Sequence, residues 1–457
     1  MIKKAANGEK TDEMDVYVDE GRIMEVTDRM KNSEDLERVL LAGVDCEDHP
    51  DEFDRSMEEL ANLAKACYME PVGMVTQRME FINKGLYMGT GKVQELKDAA
   101  QMLDAELIIF NDTLTPSQLR NLQEETGKAV IDRTALILDI FETRARTREA
   151  KLQVESAKLQ YLLPRLVGMH EALTRQGGTS GSMSSRGAGE KKLELDRRRI
   201  EHRIAELNRE LKEVSREREV QRKKRQSSRL PLVALVGYTN AGKSTIMNAM
   251  IDKYVQDEEK KVLEKDMLFA TLDTTVRRIN TGNNKDFLLS DTVGFIHKLP
   301  HGLVKAFCST LEEVKNADLL LQVVDYSDPH YREQMATTRE TLVELNAGDI
   351  PMIIAFNKAD KAQEEISYPK TSGENKVYIS AKEEGSLELL VQTILNRIYA
   401  DFAECRFLIP YDVGSIVSYL MENAHVLSIE YEETGTKLQV KCHTADKEKY
   451  KQYLIED

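Results

Sequence analysis

Gly237-Tyr-Thr-Asn-Ala-Gly-Lys-Ser244 follows directly on the apolar run Leu230–Val236 and precedes a segment of helical character, Thr245–Ile251. An apolar strand, a loop bounded by glycines and a helix in this order are typical of the phosphate-binding loop of α/β nucleotide-binding domains. Glycines let the backbone approach an anion, and successive N–H groups at the helix N-terminus then face it. The stretch therefore predicts a nucleotide site in which Lys243 reaches the β- and γ-phosphates and the Ser244 hydroxyl binds Mg²⁺.

Asp291-Thr-Val-Gly294 provides a second signature on the phosphate side. Its carboxylate is expected to hold Mg²⁺ through a water, and the Gly294 amide to sense the γ-phosphate. The segment between the two signatures must supply a threonine that senses the metal. Of its three candidates we favour Thr271 over Thr274 and Thr275.

Two later signatures point to the base. Asn357-Lys-Ala-Asp360 ends the strand-like run Met352–Phe356, and Ser380-Ala-Lys382 follows it. The Asp360 carboxylate can accept hydrogen bonds from guanine N1 and N2, a pair that adenine cannot satisfy. The backbone N–H groups of the last signature would contact guanine O6. Four signatures in this order predict a GTP site.

The residues expected to contact the nucleotide are Gly237, Tyr238, Thr239, Asn240, Ala241, Gly242, Lys243, Ser244, Thr245, Phe269, Asp291, Gly294, Asn357, Lys358, Asp360, Ser380, Ala381 and Lys382. The expected metal ligands are Ser244, Thr271 and Asp291. The expected catalytic residues are Lys243, Thr271, Gly294 and Asn240.

Phe295 stands after Gly294, where a Ras-like GTPase carries the glutamine that orients the attacking water. Phenylalanine cannot orient water, so we predict a low intrinsic rate, with the missing group supplied by an ion, by a partner or from elsewhere in the chain. Related GTPases with asparagine at the position of Asn240 resemble one another in using K⁺ for this purpose, which makes K⁺ a candidate cofactor beside Mg²⁺. The alternative is that the Asn240 side chain only stabilises the loop through bonds to backbone.

The bulk composition excludes some classes of protein. The chain of 457 residues has no apolar run near the ~20 residues that a membrane-spanning helix needs, and its first residues lack the apolar core of a signal peptide. Its five cysteines are scattered and form no Cys-x-x-Cys pair, which argues against a disulfide framework and a zinc site. We therefore expect a cytoplasmic protein with reduced thiols and no integral membrane segment, and we expect a monomer.

The charge is unevenly distributed. The whole chain carries −15, yet residues 144–229 hold 23 lysines and arginines against 12 aspartates and glutamates, a balance of +11 that leaves −26 elsewhere. A basic segment inside an acidic protein is a candidate contact for a polyanion such as RNA. The alternative is a pair of solvated, charged helices.

The pattern along the chain predicts an α/β protein: a P-loop GTPase domain, a small parallel α/β domain before it, a long helical-hairpin linker and a small α+β appendage. Leu195, Ile200, Ile204, Leu207 and Leu211 form an apolar stripe in the linker. The predicted divisions are a flexible tail at 1–37, the N-terminal domain at 38–140, the linker at 141–228 with a glycine-rich loop at 175–189, the GTPase domain at 229–400 and the appendage at 401–457.

The sequence resembles the HflX family of ribosome-associated GTPases, and its most specific likeness lies outside the GTP signatures. The stretches that carry it are Val130–Phe141, Arg144–Val154, Tyr161-Leu-Leu-Pro-Arg-Leu166, Arg175-Gln-Gly-Gly178 and Asp196-Arg-Arg-Arg-Ile200. The resemblance implies binding of GTP and GDP, binding to ribosomal RNA of the large ribosomal subunit through the linker and its loop, GTPase stimulation there, and dissociation of stalled or idle ribosomes under stress.

Three segments depart from the family pattern. Arg186-Gly-Ala-Gly-Glu190 has alanine where the family has proline, Thr271-Leu-Asp-Thr-Thr275 has threonine where it has proline, and Gly89-Thr-Gly-Lys92 has threonine where it has lysine. Two other functions stay open at this point. One is a ribosome-assembly GTPase of the Obg/Era type that acts on immature large subunits. The other is an RNA-remodelling module with nucleotide hydrolysis on the N-terminal domain, for which Gly89–Lys92 is a weak phosphate signal.

Overall fold

A computed structural model describes the protein over residues 36–46, 50–176, 183–227, 230–255, 268–269, 272, 274–282, 285–298, 312–362, 366–400 and 402–455. The chain divides into two compact units. The first contains Met1–Phe53, Cys67–Arg133 and Leu159–Ile204, and the second contains Asp54–Ala66, Thr134–Lys158 and Ala205–Asp457. Among the described residues, every helix is too short or too polar to cross a bilayer.

The first 132 residues of the chain contain an alternation of strands and helices. The elements are β1 (Glu37–Asp45), α1 (Pro50–Ala66), β2 (Met69–Arg78), α2 (Thr90–Met102), β3 (Leu107–Phe110), α3 (Pro116–Thr126) and β4 (Ala129–Asp132). The strands of the first unit form one sheet in the order β2-β1-β3-β4, and every neighbouring pair is parallel. The predicted parallel α/β domain is therefore confirmed.

Local chemistry fixes the ends of α3. Thr115 forms a capping box, in which its hydroxyl accepts from the Gln118 N–H at 3.3 Å while the Gln118 side chain accepts from the Thr115 N–H at 3.0 Å. Pro116 occupies the first helical position, where a missing N–H costs nothing. Gly127 ends the helix with a left-handed φ of 66°.

A buried carboxylate at the end of β4 joins this strand to residues 114, 161 and 165. Asp132 is fully buried and accepts from the Leu114 N–H at 3.0 Å, the Tyr161 hydroxyl at 2.7 Å and Arg165 Nη2 at 2.9 Å. Arg165 also lies over the Tyr161 ring, 3.3 Å from its centroid. The Tyr161–Leu166 stretch therefore has a structural role in the first unit.

Three helices form the linker region: α4 (Arg133–Arg144), α5 (Arg148–Gln176) and α6 (Met183–Ser227). Helix α4 begins directly after β4, within the part predicted as the end of the N-terminal domain. Helix α6 begins at Met183, so the segment predicted as a loop to residue 189 has a helical backbone from 183 onward, which the absence of proline there permits. Ion pairs between Arg148 and Glu210 at 3.2 Å and between Arg218 and Glu149 at 2.6 Å join α5 to α6 in the second unit.

The apolar stripe of α6 is real, although one predicted member lies outside it. Ile200 and Leu207 are buried, and Ile204 and Leu211 are half-buried. Leu195 is 53 % exposed, because it lies five residues before Ile200 and so on another side of the helix, whereas the other four residues follow one another at three- and four-residue steps.

The part of the second unit that was predicted as a GTPase domain contains a seven-stranded sheet. Its elements are β5 (Leu232–Val236), α7 (Lys243–Tyr254), β6 (Thr275–Ile279), β7 (Phe287–Asp291), α8 (Glu312–Lys315), β8 (Leu319–Asp325), α9 (Tyr331–Glu344), β9 (Met352–Asn357), β10 (Lys370–Thr371), β11 (Lys376–Tyr378) and α10 (Glu384–Ile398). The sheet order is β10-β11-β9-β8-β5-β7-β6, with antiparallel pairs only at its two edges. Apolar clusters pack against the sheet. Because its inner strands are parallel, their carboxyl ends lie at one edge of the sheet, where ligands of such folds bind.

The last part of the chain is a three-stranded antiparallel sheet with two helices: β12 (Phe402–Ile409), α11 (Gly414–Asn423), β13 (His425–Glu432), β14 (Gly435–His443) and α12 (Thr444–Lys449). A tight hairpin turn after Glu432 joins β13 to β14. Strand β12 was not predicted, although its buried residues Cys405, Phe407 and Ile409 alternate with Glu404 and Arg406 in the period of a strand.

Candidate nucleotide-binding site

The phosphate loop connects the end of β5 to the start of α7, and two of its positions admit only glycine. Gly237 has φ 141°, and a Cβ there would lie 2.2 Å from the Val323 carbonyl oxygen. Gly242 has φ 96°, and a Cβ there would lie 2.3 Å from Asn357 Nδ2. A side chain at either position would be strained and would also clash with the strand or side chain that supports the loop.

Lys243 lies within the concave side of this loop. It is 7 % exposed, and its Nζ donates to the carbonyl oxygens of Gly237 at 3.1 Å and Tyr238 at 2.7 Å. Burial lowers the pKa of Lys243 to about 8, while the Asp291 carboxylate acts to raise it. Phosphate oxygens in the loop would favour the charged ammonium in the same way, so the lysine is placed to gain from an anionic ligand.

Ser244 and Asp291 form the candidate metal position. The Ser244 hydroxyl donates to Asp291 Oδ2 at 2.8 Å, and Asp291 is fully buried at the end of β7. A hydroxyl and a carboxylate are the hard oxygen donors that Mg²⁺ prefers, so the pair fits the predicted ion. Thr271, the third predicted ligand, lies outside the described residues, while Thr274 and Thr275 are half-buried before and at the start of β6.

The segment after Asp291 lies against the phosphate loop. A Cβ on Gly294 would lie 2.8 Å from Thr239 Cα and 3.0 Å from Lys243 Nζ, so glycine is required for this approach. Phe295 donates its N–H to the Gly237 oxygen at 3.1 Å and accepts from the Thr239 N–H at 2.8 Å.

The Phe295 ring is 2 % exposed and belongs to an apolar cluster that includes Val236 and Leu320. Position 295 therefore has a packing role and offers no group to a water at the phosphates.

Asn357 joins the phosphate side of the site to the base side. It is 2 % exposed, its Nδ2 donates to the Ala241 oxygen at 2.9 Å, and its Oδ1 accepts from the Ala381 N–H at 2.9 Å. Each of its polar atoms makes a hydrogen bond, so the buried amide is paired with both of the loops that it connects. The sequence predicted Asn357 as a nucleotide contact, and the structure gives it this supporting role.

Lys358 makes a second bridge on the base side. It has a left-handed φ of 60°, and its Nζ donates to the Asn240 oxygen at 2.9 Å and to Asp325 Oδ2 at 2.7 Å. Asp325, which ends β8 at the same sheet edge, was not predicted from the sequence. Its position at the end of a buried parallel strand could have indicated that it belongs to the site.

Asp360 and Lys382, the outermost predicted base contacts, have exposed side chains, as expected for groups that must reach a ligand. The Ala359 N–H joins the two loops by donating to the Ile379 oxygen at 3.1 Å. Within the second loop, the Ser380 N–H donates to Ser386 Oγ at 3.1 Å. The structure thus brings the third and fourth signatures to one place.

Phe269, which the sequence predicted as a nucleotide contact, has a side chain that takes part in apolar packing. Its side chain is 2 % exposed and packs edge to face against Phe141 of α4, with 4.8 Å between ring centroids. The preference of a large apolar ring for burial explains the difference. Phe269 therefore anchors the segment that precedes Thr271.

The remaining loop residues lie where the sequence placed them. Thr239 and Ala241 are buried in the loop, and Thr245 is half-buried in the first turn of α7. Asn240 is exposed at the tip of the loop with a left-handed φ of 60°.

Three family models match the chain. Residues 54–142 match "GTP-binding GTPase N-terminal", residues 144–225 match "GTP-binding GTPase Middle Region", and residues 232–358 match "50S ribosome-binding GTPase". Among curated proteins, the GTPase HflX of Lacrimispora saccharolytica is 44 % identical over 415 residues, which is 90 % of this chain and 94 % of that protein. The GTPase HflX of Escherichia coli K12 is 37 % identical over 400 residues, 86 % of this chain and 92 % of that protein.

The chain belongs to the HflX family of GTPases. The same family includes the GTPase HflX of Caldanaerobacter subterraneus, 41 % identical over 92 % of this chain and 94 % of that protein. Among solved structures, a GTP-binding protein from Sulfolobus solfataricus in complex with GDP is 24 % identical over 79 % of this chain and 98 % of that chain, with a TM-score of 0.41.

Asn240 provides a direct test of the cation hypothesis for this HflX-family GTPase. We expect K⁺ to raise the rate of GTP hydrolysis about tenfold over Na⁺ at equal ionic strength, because a positioned cation can contribute several kcal/mol of charge stabilisation. Turnover is measured as phosphate release in KCl and in NaCl. The Asn240→Ala variant serves as the control and should hydrolyse GTP equally in both salts. Equal rates for the unmodified protein would exclude the hypothesis.

Proposed function

We propose that this protein is a GTP-switched factor that binds the large ribosomal subunit and, in its GTP state, dissociates stalled or idle ribosomes. The observation that carries the proposal is the presence, in one HflX-family chain, of the four guanine-nucleotide signatures together with the long basic helices α5 and α6. The family model that matches residues 232–358 is described as a 50S ribosome-binding GTPase.

Charge supports RNA as the partner of the linker. Residues 144–229 carry a net charge of +11 in a protein whose net charge is −15. This range contains the whole of α5 and α6. Neutralising phosphates with lysine and arginine supplies much of the affinity of proteins for nucleic acid. Ribosomal RNA offers the shape and phosphate pattern that such a segment can contact.

The switch would work through the residues that surround the phosphates. Lys243 would release its bonds to the loop carbonyls and bind the β- and γ-phosphates, and the Gly294 amide would bind the γ-phosphate. Mg²⁺, held by Ser244, Asp291 and the sequence-predicted Thr271, would neutralise the phosphate charge that develops during hydrolysis. Hydrolysis removes the γ-phosphate and with it the ligand of Gly294.

The buried Phe295 ring supports a low intrinsic rate with stimulation by a partner. A group inserted by a partner can raise the rate of such a GTPase ~10³–10⁵-fold. We therefore expect purified large subunits to increase GTP turnover at least about 10³-fold, the lower end of the range that one inserted group provides. The measurement is steady-state phosphate release with and without large subunits, with small subunits as the control.

Two arginines of the linker separate ribosome action from nucleotide binding. The double variant Arg175→Ala and Arg186→Ala should lose most of the stimulation by large subunits while its affinity for GTP stays unchanged. A double variant that no longer binds GTP would contradict the division of labour between linker and GTPase domain. Absence of stimulation in the unmodified protein would contradict the ribosomal partner.

Subunit profiles distinguish dissociation from assembly. Intact ribosomes incubated with the protein and a non-hydrolysable GTP analogue should sediment as separate subunits. Unchanged intact ribosomes, together with binding to immature large subunits, would favour an assembly GTPase instead. The proposed place of action is the cytoplasm, where the scattered cysteines stay reduced, and the proposed state is a monomer.

A further inference from the structure

The Tyr238 hydroxyl connects the phosphate loop to two elements outside it. It donates to Glu59 Oε1 of α1 and accepts the His297 N–H at 2.8 Å. The Tyr238 carbonyl oxygen accepts from Lys243 Nζ at 2.7 Å. One loop residue is therefore bonded to the phosphate-binding lysine, to the segment three residues beyond Gly294 and to a helix 179 positions away in sequence.

Helix α1 provides Glu59 from a well-anchored position in the second unit. Arg55, one turn before Glu59, forms an ion pair with Glu333 of α9, and Arg144 donates to the Ala66 oxygen at the helix C-terminus at 3.2 Å. Met57, Leu60 and Leu63, which flank Glu59, are buried. The carboxylate is thus held by a helix that is fixed at both ends.

The bonds to Tyr238 oppose movement of the segment that follows Gly294. The backbone of Phe295 makes two hydrogen bonds to the phosphate loop, one with Gly237 and one with Thr239. The His297 N–H adds a third by donating to the Tyr238 hydroxyl. In the proposed switch, the Gly294 amide turns toward the γ-phosphate of GTP and moves this segment, whereas GDP lacks the γ-phosphate and leaves the segment in place. A bond present in only one of two states changes their relative stability by its full net strength.

We infer that Tyr238, held by Glu59, is a positioning residue that lowers the affinity of the site for GTP relative to GDP by retaining residues 295–297 against the phosphate loop. By reciprocity, GTP weakens the hold of Tyr238 on Glu59, so helix α1 responds to the state of the nucleotide. This rests on the GTP switch of the proposed function and is independent of its ribosomal partner.

The test compares the affinities for GDP and for a non-hydrolysable GTP analogue, measured with fluorescent nucleotides and without ribosomes. Tyr238→Phe removes only the hydroxyl, and Glu59→Ala removes its acceptor. Each should raise the ratio of GTP affinity to GDP affinity about 5- to 10-fold, the size of a typical coupling between sites. Glu59→Gln keeps an acceptor oxygen and should restore the ratio to within about twofold.

Glu58→Gln is the matched control, because Glu58 is the exposed neighbour of Glu59 on the same helix. It should leave both affinities unchanged. Equal changes in GDP and GTP affinity in Tyr238→Phe and Glu59→Ala, or no change in either, would overturn the inference. If large ribosomal subunits did not stimulate GTP turnover, the ratio of GTP affinity to GDP affinity would be unaffected, because it is measured without ribosomes. A wrong ribosomal partner and a wrong role for Tyr238 can therefore be distinguished.

Discussion

Replacing Asp360 with asparagine is expected to lower the affinity for GTP about 10³-fold and to make xanthosine triphosphate the better ligand, since a site that pairs polar groups with one base rejects another strongly. The exposed Asp360 carboxylate stands in the loop that Asn357 and Lys358 support. A carboxylate accepts from guanine N1–H and from its 2-amino group. An asparagine amide presents a donor instead, which opposes that amino group and suits the O2 carbonyl of xanthine.

The measurement is competition of GTP, ATP and xanthosine triphosphate against a fluorescent guanine nucleotide. Asp349→Asn makes the same chemical change at an exposed position of the same domain and should leave all three affinities unchanged. An Asp360→Asn protein that still prefers GTP over xanthosine triphosphate would show that another group reads the base.

Substitution of Gly237 by alanine is expected to lower the free energy of unfolding by about 3–4 kcal/mol, as strain at a special φ combines with a backbone clash. The added Cβ would lie 2.2 Å from the Val323 oxygen, an atom of the buried strand β8 that cannot retreat without breaking the sheet. Nucleotide affinity should fall with it, because the loop can only relieve the clash by moving its N–H groups.

Gly373→Ala is the matched control for Gly237→Ala. Gly373 also has a left-handed φ, 68°, but a Cβ there meets nothing within 4 Å. Its cost should be about 1 kcal/mol, the conformational term alone. Urea unfolding of the two variants and the unmodified protein measures both terms. Equal destabilisation by the two substitutions would mean that the clash at Gly237 is relieved at no cost.

The order and spacing of the four signatures predicted most of the site, because each is a short local pattern at the end of a strand. Parallel strands bring their carboxyl ends to one edge, so Lys243, Asp291 and Asn357 meet although more than a hundred residues separate the first from the last. The start of α3 is local in the same sense, because the cap made by Thr115 and Pro116 depends only on neighbours in sequence.

Features that depend on distant partners were not predictable in the same way. Nothing local in Glu59 indicates that its carboxylate meets Tyr238, and nothing local in Phe269 indicates that its ring packs on Phe141. The start of α6 at Met183 was missed because glycine disfavours helix by about 1 kcal/mol per residue, which predicts a loop, whereas the charged helix that follows extends over the glycines. Local composition therefore predicts local conformation, but it does not predict which distant residue a side chain will contact in the folded protein.

The Asn357 side chain has a consequence for how the site comes apart. One amide bonds to both the Ala241 carbonyl and the Ala381 N–H. The predicted phosphate loop and the predicted base-binding loop are therefore stabilised by the same side chain. Opening of either loop releases the other, and the amide hydrogens of both should exchange with solvent in one cooperative step. We therefore expect that a nucleotide with the wrong base, such as ATP, leaves both loops less stable. It should dissociate faster than GTP, so the site should discriminate against ATP through the dissociation rate as well as through the contacts to the base.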